Sequence, residues 1–138
     1  MSAKRVVVDS SILYYAHNRD AEGYVEEARR RVRGLWHGAA DPVVSDWILG
    51  EFAESLRAGG VHPEQVAAVT RRYLFWEVVV MSVTLFERVL GLTAERGLDT
   101  RGAGLVAVAE SAGADVIWTT QRFPRESFDS VYVVNPLG

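Results

Sequence analysis

At 138 residues with 49% hydrophobic side chains, the chain has the size and apolar content of one globular unit, residues 1–138, around a single core. Its net charge of -3 supplies no overall positive field for nucleic acid, so a polyanion would have to be met by a local patch or a bound cation. The absence of cysteine excludes disulfides, thiolate metal ligands and a cysteine nucleophile.

After Lys4 and Arg5 the apolar run is only VVV, far short of a signal-peptide core or a membrane span. A soluble, unprocessed, cytoplasmic protein with no membrane role is expected. Val6 to Val8 is an all-β-branched run suited to a strand covered on both faces, and Asp9 falls at its carboxyl end. From Ala21 to Trp36, apolar residues recur at helical spacing opposite Glu26, Glu27 and four arginines. Val43 to Ser45 reads as a second strand. Asp46 to Ala58 reads as a helix ended by Gly59 and Gly60, and Pro63 and Glu64 open another. Glu77 to Val83 is a strand by its valines, and Thr84 to Glu87 is a capping-box pattern for the helix after it. Asp99 to Gly113 is a helix of small residues. Val116 to Thr119 and Val131 to Val134 are the last strands. Strands alternating with helices predict an α/β fold, a mostly parallel sheet with helices on both faces. In such sheets the ligand site lies beyond the carboxyl ends of the strands, where Asp9 stands.

Two chemistries suit Asp9. As a helix N-cap it would accept N–H bonds of a first turn, a task Ser10 or Ser11 could share. As a metal- or phosphate-directed carboxylate it needs company, because hard cations want several oxygens. Glu51 is the companion that helical geometry offers. On the 46–58 helix, Ile48, Leu49, Phe52, Ala53 and Leu56 form one stripe, and Glu51 lies roughly 130° from its centre while Glu54 points to water. A border glutamate can equally pair with an arginine.

The segments VVVDSSILYYA, VVSDWILGEFAESL and GLDTRGAGLVAVAESAGADVIWTTQRF, in this order and spacing, resemble the three blocks of a PIN domain, closest to VapC-type toxins of toxin–antitoxin pairs. The resemblance runs from Val6 to Pro136. It implies a three-layer α/β/α sandwich and, in active members, an acidic cluster that binds Mg²⁺ or Mn²⁺ to cleave RNA. Asp9 matches the first family acid, with Ser10 and Ser11 in the polar positions after it, and Glu51 matches the second. The third block departs from the pattern: Gly102, followed by Ala103, stands where active relatives carry an aspartate. Thr119 is kept after the last core strand, but Gln121 stands where an acid is usual. Two of four expected carboxylates are missing, which lowers the attraction for a divalent ion. Gly102 and Gly104 also each cost a helix about 1 kcal/mol against alanine, with close packing as the ordinary reason. Asp99, one turn before Gly102, either caps its helix or supplies a third ligand.

Arg101, Arg122 and Arg125 flank the altered positions and are candidates for phosphate contacts. The arginines at 29, 30, 31 and 33 read instead as a solvated face, partly paired with Glu26 and Glu27. His17, His37 and His62 show no ligand spacing. The consecutive Tyr73, Leu74, Phe75 and Trp76 exceed what one core face can bury, so they turn the chain into the next strand or feed a partner interface. The resemblance implies RNA as substrate, a small antitoxin protein as partner, and a homodimer. Two functions follow: a metal-dependent endoribonuclease in which Asp9 and Glu51 hold the ion, or a PIN domain that binds RNA or protein without cutting. A haloacid-dehalogenase-like phosphatase fits less well, since no second aspartate lies two residues after Asp9.

Overall fold

The structure is a computed structural model that describes residues 4–18 and 23–138. Its centre is a sheet in the order β3 (Glu77–Val79), β2 (Asp41–Ser45), β1 (Arg5–Val8), β4 (Val116–Trp118), β6 (Val131–Val134), β5 (Ser127–Phe128). The β1, β2, β3, β4 and β6 pairings are parallel, and only β5 runs antiparallel against β6. Val6, Val7 and Val8 are fully or almost fully buried, as expected of a central parallel strand with helices on both faces.

Helices α1 (Ser10–His17) and α2 (Val25–Trp36) join β1 to β2, and α3 (Asp46–Ala58) and α4 (Pro63–Arg72) join β2 to β3. Helices α5 (Val83–Arg96) and α6 (Thr100–Ala112) then carry the chain back from β3 to β4, on the far side of β1. Right-handed crossovers put α1 to α4 on one face and α5 and α6 on the other, because the direction of travel reverses. That is the α/β/α sandwich anticipated from the strand and helix pattern. The reversal leaves β1 and β4 side by side with their connections leaving on opposite faces. Asp9 and Thr119 follow these two strands, at the switch point. The ladder continues past the strand ends: Asp9 N donates to Trp118 O at 2.9 Å and Thr119 N to Val134 O at 3.0 Å. Both residues are therefore fixed by backbone before their side chains act.

Helix α6 is buried continuously from Gly102 to Ala109, between α5 and the sheet. A helix enclosed all round needs small and apolar residues on every side, which is what GAGLVAVA provides. At Gly104 the reason is specific: a Cβ there would lie 2.8 Å from the Trp47 ring.

Several boundaries differ from the sequence expectation. The helix implied by Asp9 as an N-cap is α1, whose extent no sequence pattern marks. Helix α2 begins at Val25, with Tyr24 at its N-cap; of the predicted start, residues 21 and 22 lie outside the described residues. Ser45 caps α3 by accepting from Ile48 N. Strand β3 stops at Val79 rather than Val83, because Met81 N is drawn to Asp46 Oδ1 at 2.8 Å and the chain turns. Ser82 then caps α5 through Leu85 N, so Thr84 and Glu87 are exposed residues within the helix and not a capping box. The short β5 had no signal beyond Ser127 and Phe128. On α2, Glu27 pairs with both Arg30 and Arg31, the solvated face expected there. Among Tyr73 to Trp76 the structure divides the aromatic surplus: Tyr73 and Trp76 are buried, while Leu74 and Phe75 are exposed on a 3₁₀ turn.

Candidate functional site

Asp9 is fully buried. Its Oδ1 accepts from Ser10 N at 2.8 Å, and its Oδ2 accepts from the hydroxyls of Ser11 at 2.8 Å and Thr119 at 2.7 Å. It is thus the N-cap of α1. The cap and ligand readings of Asp9 are not exclusive, because one carboxylate has more acceptor directions than a cap requires.

The remaining acceptor capacity goes to Arg101. Its Nη2 lies 2.8 Å from Asp9 Oδ1 and 3.0 Å from Oδ2, and its Nε lies 3.2 Å from Glu51 Oε2. Nη2 also donates to Ser10 Oγ at 2.9 Å, and that hydroxyl donates on to Glu51 Oε1 at 3.1 Å. Nη1 donates to Gln121 Oε1 at 2.6 Å. A planar guanidinium therefore sits between the two carboxylates and engages every acceptor around it. The side chains of Arg101 and Glu51 are each 32% exposed. Burial works against the charged guanidinium, but the Asp9 and Glu51 carboxylates outweigh it and hold the Arg101 pKa above the ordinary arginine value.

The altered positions of the third block belong to the same network. Gln121 turns its amide N–H groups to Asp99, at 3.0 and 3.2 Å, while its carbonyl accepts from Arg101. Asp99 accepts from Gly102 N at 2.7 Å and caps α6. Gly102 leaves room for this pairing: a Cβ there would stand 2.9 Å from Asp99 Oδ1 and 3.2 Å from Gln121 Nε2, and these side-chain ends would have to shift. So Asp99, Gly102, Gln121 and Arg101 form one coupled set, in which Gln121 transmits the position of the α6 cap to the guanidinium.

Do these residues fit a divalent ion? The donors nearest one another are two carboxylates already bridged by a resident cation. Asp99 faces Gln121 and the helix end. Among the described residues no group of three or more His, Cys, Asp or Glu could hold a metal ion. In this arrangement the site does not fit one, because a guanidinium occupies the space between the carboxylates.

Of the remaining candidates, Arg122 is exposed and lines a recess of ≈ 640 Å³ beside the site, together with Thr119, Gln121 and Arg125. Arg101, read from sequence as a phosphate contact, is turned inward instead, because its closest acceptors are Asp9 and Glu51. Its inward place had one sequence signal: an arginine immediately before the glycine at which the family resemblance implies a carboxylate. His17 and His62 line another cavity, beneath α1 and α4. Burial, with Arg72 and Arg29 adding to it, pushes the His17 pKa below its usual value. Its Nε2 shares a 2.5 Å hydrogen bond with the Tyr73 hydroxyl, whose own pKa burial pushes up to about 12.

Similar folds occur among solved proteins. The VapC20 toxin of Mycobacterium tuberculosis, described as cleaving the sarcin–ricin loop, superposes with a TM-score of 0.68 at 18% identity, over 84% of this chain and 89% of that one. A toxin–antitoxin complex from Klebsiella pneumoniae gives 0.67 at 19% identity, over 95% and 97%. At these identities the likeness is one of fold. The chain matches no curated protein. The PIN domain family model matches residues 6–126, which contain Asp9, Glu51, Asp99, Arg101 and Gln121, and the chain belongs to the PIN domain family.

Proposed function

We propose that this protein is a VapC-type PIN domain of a toxin–antitoxin pair that engages RNA beside the carboxyl ends of β1 and β4, where a guanidinium stands between the two carboxylates in place of a divalent ion. The observation that carries this reading is Arg101 between Asp9 and Glu51, with Nη2 at 2.8 and 3.0 Å from the first and Nε at 3.2 Å from the second. Arg101 offsets one of the two carboxylate charges, and the exposed Arg122 and Arg125 in the adjoining recess are the cations that a phosphate backbone would meet. The partner supported by the Klebsiella pneumoniae fold is a small antitoxin-type protein, and RNA as the ligand is supported by the mycobacterial one. A homodimer and a cytoplasmic location belong to the same reading.

The rival is a Mg²⁺- or Mn²⁺-dependent endoribonuclease. One observation favours it: Asp9 and Glu51 converge on a single cation position, and the Arg101 side chain that holds it is 32% exposed. Titration calorimetry with Mn²⁺ and incubation with structured RNA, alongside Asp9→Asn and an EDTA control, separates the two. RNA binding without saturable Mn²⁺ heat and without cleavage supports the guanidinium reading. Mn²⁺-dependent cleavage that disappears in Asp9→Asn and in EDTA establishes the nuclease.

A further inference from the structure

At the opposite end of the sheet, Arg5, Asp41 and Glu77 are the first residues of β1, β2 and β3 and meet at its amino-terminal edge. Asp9 lies four residues further along the chain from Arg5, roughly 13 Å away, so this edge is separate from the carboxylate site. With Trp36, Phe75 and Trp76 the three charged residues wall a recess of ≈ 370 Å³. The Trp36 and Trp76 rings pack with centroids 4.9 Å apart, yet Trp36 remains 39% exposed and Phe75 88%. No further strand covers this side, because β3 is an edge of the sheet. Two donors of the wall residues, Arg5 Nε and the Trp76 indole N–H, are buried and have no hydrogen-bond partner among the described residues, and Trp76 as a whole is 8% exposed. Buried donors are rarely left unpaired, and an occupant that brings carbonyl oxygens supplies what these two lack.

Charge narrows the occupant further. Arg5 is the one basic residue among the walls, and it is paired with Glu77. The Glu77 hydrogen bond, against desolvation and with the charges of Glu77, Asp41 and Asp115, holds the Arg5 pKa above the ordinary arginine value. Two wall carboxylates against one guanidinium leave the recess net negative, and Asp41 is exposed at its rim. We infer that this recess docks a basic side chain, lysine or arginine, carried on a segment of a protein partner. The charged head sits by Asp41 and Glu77, the apolar stem lies on Trp36 and Phe75, and backbone carbonyls of the segment meet the unpaired donors. Aromatic faces attract a cation and cover the methylenes behind it, so rings and carboxylates together favour a basic side chain over an acidic or a purely apolar one. The inference goes beyond the RNA-binding reading and does not depend on it.

The test is heteronuclear NMR on the full chain, following its four tryptophan indole N–H signals, with those of Trp36 and Trp76 assigned by Trp36→Phe and Trp76→Phe. The probes are short capped glycine peptides that carry one central lysine, glutamate or leucine. The Trp36 and Trp76 signals are expected to move saturably with the lysine peptide and not with the other two, while the Trp47 signal stays in place. Phe75→Ala should weaken the lysine peptide about threefold. Asp41→Asn should do the same at low salt, with the difference closing at high salt. Both residues are exposed, and the unfolding midpoint of each variant checks that the fold persists. Equal shifts with the leucine or glutamate peptide, or no shift with the lysine peptide, would overturn the inference. So would movement of the same two signals on dilution of the protein alone, which would mark a second copy of the chain as the occupant. The RNA-binding reading stands under every one of these outcomes.

Discussion

Replacing Arg101 with alanine removes the only side-chain cation in contact with Asp9 among the described residues. With Arg101 in place, Asp9 has no exposed surface. Deleting one partner of a fully buried ion pair costs ~3–5 kcal/mol. Here the loss is smaller, because Asp9 keeps the Ser10 N–H and the Ser11 and Thr119 hydroxyls, and a third of the Arg101 side chain already faces solvent. Charge-assisted hydrogen bonds at this level set the expectation at about 2 kcal/mol. The assay is urea unfolding followed by tryptophan fluorescence, in EDTA and in Mn²⁺. In EDTA, Arg101→Ala should unfold at lower urea than wild type. Without the guanidinium, the two carboxylates should attract Mn²⁺, which at a hundredfold excess over its Kd stabilises by about 2.7 kcal/mol. Mn²⁺ should therefore move the variant's midpoint and leave that of wild type in place. Equal stability of the two proteins in EDTA, or an equal Mn²⁺ shift in both, would refute the reasoning.

Gln121→Ala should cost about 1 kcal/mol in the same unfolding assay, because it removes the 2.6 Å acceptor for Arg101 and the donors to Asp99 together. Gly104→Ala should destabilise by ~1–3 kcal/mol and alter tryptophan emission, since its Cβ would meet the Trp47 ring at 2.8 and 2.9 Å. His17 gives a pH dependence. Its folded pKa is depressed by burial, so the unfolded chain binds the proton more readily and stability is full only above the ordinary value of about 6.5. Stability should fall as pH drops through that value toward the folded one, and His17→Phe should flatten this part of the profile of unfolding free energy against pH.

The fold was legible because its signals are local and repeated. Val6 to Val8 suited a strand covered on both faces, and Asp99 to Gly113 read as a helix of small residues. The boundaries that moved did so for contacts between distant positions. Asp46 captures Met81 N from 35 residues away and ends β3 early, which no periodicity within 77–83 encodes. The site was half legible. Asp9, Glu51 and the polar Ser10, Ser11 and Thr119 are found around one point, and Asp99 caps α6. What a linear reading missed is direction. Arg101 was placed beside the lost acids, but whether it points to a phosphate or to Asp9 depends on the height of α6 over β1. Gly102 had two readings, a lost ligand and a packing requirement. Asp99 and Gln121 close around it, as the packing reading expects.

The most direct measurement is anomalous diffraction at the manganese edge from crystals grown in Mn²⁺. The account expects guanidinium density between Asp9 and Glu51 with no anomalous peak there. A manganese peak bridging the two carboxylates, with Arg101 turned to solvent, would contradict it.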